Sequence, residues 1–334
     1  MIVSKFGGSA TTTKRTILNI QKLNTDERNV FVFSAIGKTA NDDAKLTDLL
    51  LSYTKKNTNK AQLKKRIKLK LQTLCNLTNV HMPINEIVDG ICNKFIKDND
   101  KAFFVSRGEF LTTKIMAKFL NIKFIPAENV IFFKNNKINY EKTEKTLKKL
   151  ILNYKKIIIP GFYGTNEILN SDLKSSKIKL MSRGGSDLTA CIVAKCLGAN
   201  LCENWTDVDG IYEINPKICK SKLIKNMSYA DLKILTSYDT KVIQKKCADV
   251  LNGSDTILHV KNIFTPTNNG TQISTMCNEK FDYAIFKKQH NFYKLLAHNK
   301  NGFDLTCTTF SNLKNNILLI YKKIKKMNIL CCKT

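Results

Sequence analysis

Arginine is scarce in this chain. Arg15, Arg28, Arg66, Arg107 and Arg183 are the five in 334 residues, although lysine brings the basic total to 55 against 27 acidic residues and the formal net charge to +28. The guanidinium fork is the group favoured for bidentate phosphate and base contacts, so lysine excess without it argues against nucleic-acid binding as the main function and reads as compositional bias. A long apolar run is missing too. No stretch approaches the ~18 residues of a membrane span, and Met1 to Lys5 lacks the apolar core of a signal peptide, so no membrane association and a cytoplasmic location are expected. Metal-ligand spacing is absent as well: the eleven cysteines are scattered, and His81, His259, His290 and His298 stand far apart in sequence, which argues against zinc and against a disulfide framework. The terminal Cys331-Cys332-Lys333-Thr334 lacks the aliphatic middle of a prenylation box.

What is present is 43% hydrophobic residues, ample for a buried core in one large or two moderate domains. The chain opens as strand, glycine turn, helix and strand: "IVSKF", "GGSATTTKRTILNIQKL", "NVFVFS". That alternation predicts an α/β fold, a mainly parallel sheet with helices on its faces. Residues 55–97 read as a helical excursion with Leu63, Ile67, Leu71 and Leu74 as its apolar stripe and lysines as a solvated face. "AFFVSRGEFLTTKIMAKFL" reads as strand, polar loop and helix, and "IKFI", "VIFF", "IIIPGFYG" and "LCENWTDVDGIY" contain further strands. Pro266, Asn268, Asn269 and Gly270 make a turn-rich exit, so residues 1–275 form the main domain and 276–334 a tail. In the tail, "FYKLLAH" is expected as a strand, about 311–326 as a helix, and "MNILCC" as a further strand start.

Residues 180–199, "LMSRGGSDLTACIVAKCLGA", place an arginine and two glycines before a helical run that Gly198 closes. Ser186 and Asp187 are read as its N-cap residues. Backbone N–H groups at such a helix mouth carry partial positive charge, and Gly184 and Gly185 lack the Cβ that would hold an anion away. Lys5, at the end of the first strand with Gly7 and Gly8 behind it, stands where ligands of open α/β sheets gather.

The ordered set "SKFGGS", "FSAIGK", "SRGE", "SRGGSD" and "WTDVDGIY" resembles the aspartate kinases of the amino-acid kinase family over roughly residues 1–275. The resemblance implies a three-layer sandwich with a central, mainly parallel sheet. It also implies phosphoryl transfer from Mg-ATP to the side-chain carboxylate of L-aspartate, giving 4-phospho-L-aspartate for lysine, threonine and methionine synthesis. Lys5 then contacts the transferring phosphoryl group, with Asp187 orienting lysine and substrate amine. Arg183 takes the α-carboxylate and Glu109 the ammonium, and Ser34, Thr47 and Ser186 supply hydroxyls. Gly7, Gly8, Thr206, Asp207, Tyr212, Lys217 and Lys241 serve the nucleotide, and Mg2+ is held mainly by its phosphates. Arg107 is expected to shape the "SRGE" loop through a salt bridge, and Trp205 to lie in the core. The chain departs from the family pattern in several places. Ala40 stands where a threonine is usual, so Thr47 takes that place if residues 41–45 are an insertion. Lys217 replaces an arginine, and "YDTKVIQKK" replaces "FGAKVLHP". The tail has room for at most one of the family's paired regulatory modules, so weak or absent inhibition by lysine and threonine, and a packing or homodimer role, are expected. The alternatives are phosphorylation of glutamate or N-acetylglutamate, or an inactive basic protein that binds nucleotide or nucleic acid.

Overall fold

The computed structural model describes residues 1–40, 42–167, 177–214, 216, 221–237 and 242–277, with the backbone of three strands between 283 and 309. The amino-terminal part runs β1 (Ile2–Phe6), α1 (Lys14–Lys22), β2 (Arg28–Phe33), α2 (Leu46–Tyr53), α3 (Lys60–Thr78), α4 (Ile84–Asp98), α5 (Lys101–Leu120) and β3 (Lys123–Phe124). The middle runs β4 (Phe132–Lys134), β5 (Lys137–Ile138), α6 (Tyr140–Asn153), β6 (Ile157–Pro160), β7 (Tyr163–Asn166), β8 (Ile178–Leu180), α7 (Gly185–Leu197) and β9 (Leu201–Thr206). Then come β10 (Asn226–Ser228), α8 (Tyr229–Ser237), α9 (Lys245–Leu251), β11 (Ile257–Asn262) and β12 (Thr271–Ser274), followed by β13 (Tyr283–Gln289), β14 (Phe292–His298) and β15 (Asp304–Thr309).

Eight strands form the central sheet in the order β10-β12-β11-β9-β1-β2-β6-β3. The six from β11 to β3 are parallel, and β12 returns antiparallel to β11. The period of two along each strand builds the layers. Val3, Val30, Val32, Ile157 and Ile159 face α7 and α9, where Ala190, Val193 and Leu251 meet them. Phe6, Phe31, Phe33, Ile158 and Trp205 face the other way, toward α1, α2 and α5. Trp205 is fully buried, as expected, and it and Phe33 flank Phe6 with ring centroids at 6.4 and 5.0 Å. Burying each large side chain contributes about 1.5–3 kcal/mol, so both faces of the sheet are closed and its ligands are left to its ends. The three-layer α/β sandwich expected from the sequence is therefore the fold observed.

The excursion at 55–97 forms α3 and α4, and its Ile67, Leu71 and Leu74 are buried. One expectation fails beside it. "AFFVSRGEF" is not a strand and loop but the first half of α5, capped by Asp100, whose carboxylate accepts from the Phe103 amide. The aromatic and β-branched run suggests a strand, yet Phe104, Leu111 and Ile115 all reach the core shared with α2, and tertiary burial overrides propensity. Gly108 is tolerated mid-helix because a Cβ there would sit 3.0 Å from Leu50 Cδ1. "FYKLLAH" is strand β14, the centre of an antiparallel β13-β14-β15 sheet. The expected helix at 311–326 and the "MNILCC" segment lie outside the described residues.

Candidate active site at the carboxyl ends of the central strands

The chain places β2 on one side of β1 and β9 on the other, so the strand order reverses at β1 and leaves a crevice at its carboxyl end. Backbone bonds keep the exits level: Gly7 N–H donates to Trp205 O, Ser34 N–H to Phe6 O and Gly161 N–H to Phe33 O, at 2.9, 3.0 and 2.9 Å. Lys5 shares the face of Val3 by the strand period, which aims it at α7. In register it lies opposite Asn204 of β9. Its Nζ sits 2.6 Å from Asp187 Oδ1 and donates to Asn204 Oδ1 at 3.0 Å, with 7% of the residue exposed. A lysine so tethered loses little freedom when it meets an anion. Behind it lie the thiols of Cys191, Cys202 and Cys247. Mutual hydrogen bonds and burial push the Cys191 thiol up, and burial does the same for Cys247, so both stay neutral beside the ion pair.

The glycine turn has no room for side chains on its inner side. A Cβ on Gly8 would lie 2.6 Å from Ala35 O, and one on Gly37 2.7 Å from the Gly8 carbonyl carbon. The loop after β2 therefore lies directly on the turn after β1, and this backbone contact requires glycine at both positions.

Across the crevice, α7 begins at Gly185 with Gly184 as its cap residue at φ 80°. Ser186 and Asp187 accordingly lie in the first turn rather than at the expected cap position, which Gly184 takes because glycine enters this left-handed conformation without strain. Ser186 is buried against the 160–162 turn, where a Cβ on Gly161 would lie 2.6 Å from Ser186 Cβ. Asp187 pairs with Lys5, and the neighbouring Arg183 is exposed at the helix mouth.

Glu109 is 4% exposed and projects from α5 toward the end of β2. The Thr47 hydroxyl donates to its Oε1 at 3.2 Å, while its buried Oε2 has no hydrogen-bond partner. Burial raises its pKa to about 8, against the opposing pull of the Glu109 and Ala35 amides and Thr47. Thr47, not Ala40, thus meets the carboxyl, and Ser34 immediately precedes the contacting Ala35 amide. Arg107, two residues earlier on α5, pairs with Glu128 at 3.6 Å and stacks 4.4 and 4.3 Å from the Phe103 and Phe110 ring centroids. Itself buried, it packs one side of α5, there being no loop for it to shape.

At the far end of the crevice Thr206 donates to Asp207 Oδ1 at 3.1 Å, and the half-buried Tyr212 donates its hydroxyl to Asp209 Oδ2 at 3.2 Å. Asp209 also accepts from Asn262, Thr265 and Asn268, which holds its carboxyl below the usual range, the Asn262 bond contributing most. Lys217 and Lys241 lie outside the described residues. Asn204 and Asp209 escaped the sequence reading. The alternation in "LCENWT" could have found Asn204, a polar residue on the face of Cys202; Asp209 carries no such pattern, since its partners come from residues about 50 positions later.

No group of three or more His, Cys, Asp or Glu among the described residues could hold a metal ion. This donor set fits an Mg2+ carried by nucleotide phosphates and water better than one held by protein ligands alone. No helix among the described residues is long and apolar enough to cross a membrane.

The chain is similar to proteins of known name. The chain is 26% identical over 318 residues to a bifunctional aspartokinase/homoserine dehydrogenase of Buchnera aphidicola, covering 84% of this chain and 37% of that one. It is 25% identical over 294 residues to aspartokinase 3 of Bacillus subtilis, covering 82% and 63%. It therefore spans less than two thirds of the length of each of these curated relatives. The crystal structure of Clostridium acetobutylicum aspartate kinase superposes with a TM-score of 0.75 at 30% identity, covering 86% of this chain and 67% of that one. Escherichia coli aspartokinase III, in complex with aspartate and ADP, shares the fold with a TM-score of 0.70 at 19% identity. The model of the amino acid kinase family matches residues 1–262, the part that carries both walls of the crevice, and the chain belongs to that family.

Proposed function

We propose that this protein is an aspartate kinase that moves the γ-phosphoryl group of Mg-ATP onto the side-chain carboxylate of L-aspartate. The observation that carries the reading is the pairing of opposite requirements in one crevice. A tethered Lys5 and an exposed Arg183 stand ready for anions, and a buried Glu109 with an unpaired oxygen stands ready for a cation. An amino acid with a second carboxylate satisfies all three.

The reacting carboxylate is ionised at neutral pH, so its oxygen attacks phosphorus without a general base. One P–O bond forms as the bond to the β–γ bridging oxygen breaks, and that oxygen leaves on ADP. Catalysis is then positioning and charge neutralisation. Lys5 meets the transferring phosphoryl group, kept in place by Asp187 and Asn204. Gly7 and Gly8 let backbone approach the phosphates. Arg183 grips the α-carboxylate with its fork, Glu109 accepts the ammonium, and Ser34, Thr47 and Ser186 serve the remaining oxygens. Thr206, Asp207 and Tyr212 serve the base and ribose, and Lys217 and Lys241 are assigned to the phosphates by their motif positions alone. Mg2+, when bound, neutralises phosphate charge. Residues 1–275 form the catalytic unit and 276–334 a packing or dimerisation tail, and we place the enzyme in the cytoplasm.

A coupled ADP-release assay with L-aspartate, L-glutamate and N-acetyl-L-glutamate tests the reading. Aspartate alone should support turnover. ADP formed only with another acid would redirect the substrate, and no ADP with any acid, together with steep salt-dependent DNA binding, would replace the kinase reading altogether.

A further inference from the structure

Lysine is so common here that an exposed one carries little meaning, but a buried ammonium is costly to desolvate. Among the described lysines only Lys5 and Lys70 are buried, at 7% and 3% exposure. Lys5 is in the crevice. Lys70 is on α3, in the helical excursion, where Lys64 and Lys68 instead pair with Asp89 at the surface.

Arg66 and Lys70 stand four residues apart and so share one face of α3. Arg66 Nε and Nη2 donate to the two carboxylate oxygens of Asp42 at 3.1 and 2.6 Å, and Lys70 Nζ donates to the carbonyl of Gly37 at 3.0 Å. The helix therefore grips the loop after β2 at both ends of residues 37–42. Gly37 passes the restraint on: its N–H donates to Gly8 O at 2.9 Å, in the close contact where neither glycine has space for a Cβ. Because a trans peptide is planar, fixing the Gly8 carbonyl also fixes the Ser9 N–H on the opposite side.

We propose that Lys70 is a positioning residue for the phosphate-binding turn. Its ammonium holds the Gly37 carbonyl, and through the Gly37 to Gly8 hydrogen bond it orients the peptide after Gly8, so the helical excursion sets nucleotide affinity through one side-chain and one backbone hydrogen bond. This deepens, and rests on, the kinase reading above.

The test uses the full chain and its K70M, K70R and K68M variants, with Mg-ADP binding by calorimetry, ADP-release kinetics, and amide exchange at Gly37. K70M should weaken Mg-ADP and raise the ATP KM by about tenfold, leave kcat and the aspartate KM within about twofold, and speed Gly37 exchange. K70R should recover most of the affinity, and K68M, which removes the same charge from the surface, should behave as the parent. If K70M does not fold, G37A, which leaves Lys70 in place, carries the same expectation for nucleotide affinity. A folded K70M that binds Mg-ADP like the parent overturns the inference. So does a loss of kcat and both KM values in parallel with melting temperature that K70R does not reverse. A parent chain that binds Mg-ADP but phosphorylates no acid would sink the aspartate reading while leaving the binding test of Lys70 intact; one that binds no nucleotide would overturn both.

Discussion

Replacing Glu109 by glutamine separates what this carboxyl contributes to binding from what it costs the fold. With a pKa of about 8 in the free protein, about one molecule in eleven carries the Glu109 charge at pH 7 and about three in four at pH 8.5. An aspartate ammonium selects the charged form. Binding should therefore release about 0.9 proton at pH 7 and about 0.25 at pH 8.5, and affinity should rise about eightfold between them. Calorimetry in buffers of different ionisation enthalpy reads both quantities. E109Q should abolish the proton release, flatten the pH dependence, and weaken aspartate by ~1.5–3 kcal/mol, the range for a hydrogen bond to a charged group. Stability should move the other way. The folded pKa lies above the ordinary value of 4.5, so this group's contribution is fully present below that value and is lost as pH rises through about 8, at ~1.4 kcal/mol per unit. E109Q should thus melt higher than the parent at pH 8.5 and close to it at pH 4. Equal aspartate affinity at pH 7 and 8.5 without proton release, in a folded parent, would refute the assignment of Glu109 to the ammonium.

Lys5→Ala should lower turnover by ~3 kcal/mol in barrier terms, the scale of a lost oxyanion-type contact, with either KM changed only modestly; a pure rise in KM in steady-state kinetics would contradict the role. Arg183→Lys should raise the aspartate KM about tenfold or more and barely touch that for ATP, because a point charge replaces a fork; an unaltered aspartate dependence would remove the α-carboxylate from this residue. Glu203→Gln should cost ~3–5 kcal/mol at pH 7 in urea unfolding, since Arg28, bonded at 2.9 Å by Nε and Nη2, would be left uncompensated. Arg28, Ser4 and Trp205 together outweigh the burial penalty and hold the Glu203 pKa below 4.5, so the parent should lose that stability as pH falls through the folded value while the variant does not.

The sequence by itself determined the layers and the glycine turns. Period-two alternation of Val30 and Val32 against Phe31 and Phe33 specifies a sheet covered on both faces, and Gly7, Gly8, Gly184 and Gly185 mark where backbone must come close to something else. The ordered motifs that resemble the family were enough to nominate Lys5, Arg183, Asp187, Glu109 and Thr47, because motif order survives without coordinates, although Glu109 stands in the middle of α5 and not on the expected loop. Tertiary structure alone decided the partnerships. Whether "AFFVSRGEF" is strand or helix depends on the α2 surface it packs against, which no local window contains. Asn204 becomes the companion of Lys5 through parallel register across 199 residues, and Asp209 gathers donors that arrive from the end of β11 and the turn after it. Lys70 is indistinguishable from its lysine neighbours in the sequence, and only the placement of α3 over Gly37 buries it. Burial is also what lifts the Glu109 pKa: the same carboxylate at a surface would titrate ordinarily, and only the packing of α5 removes the water around it.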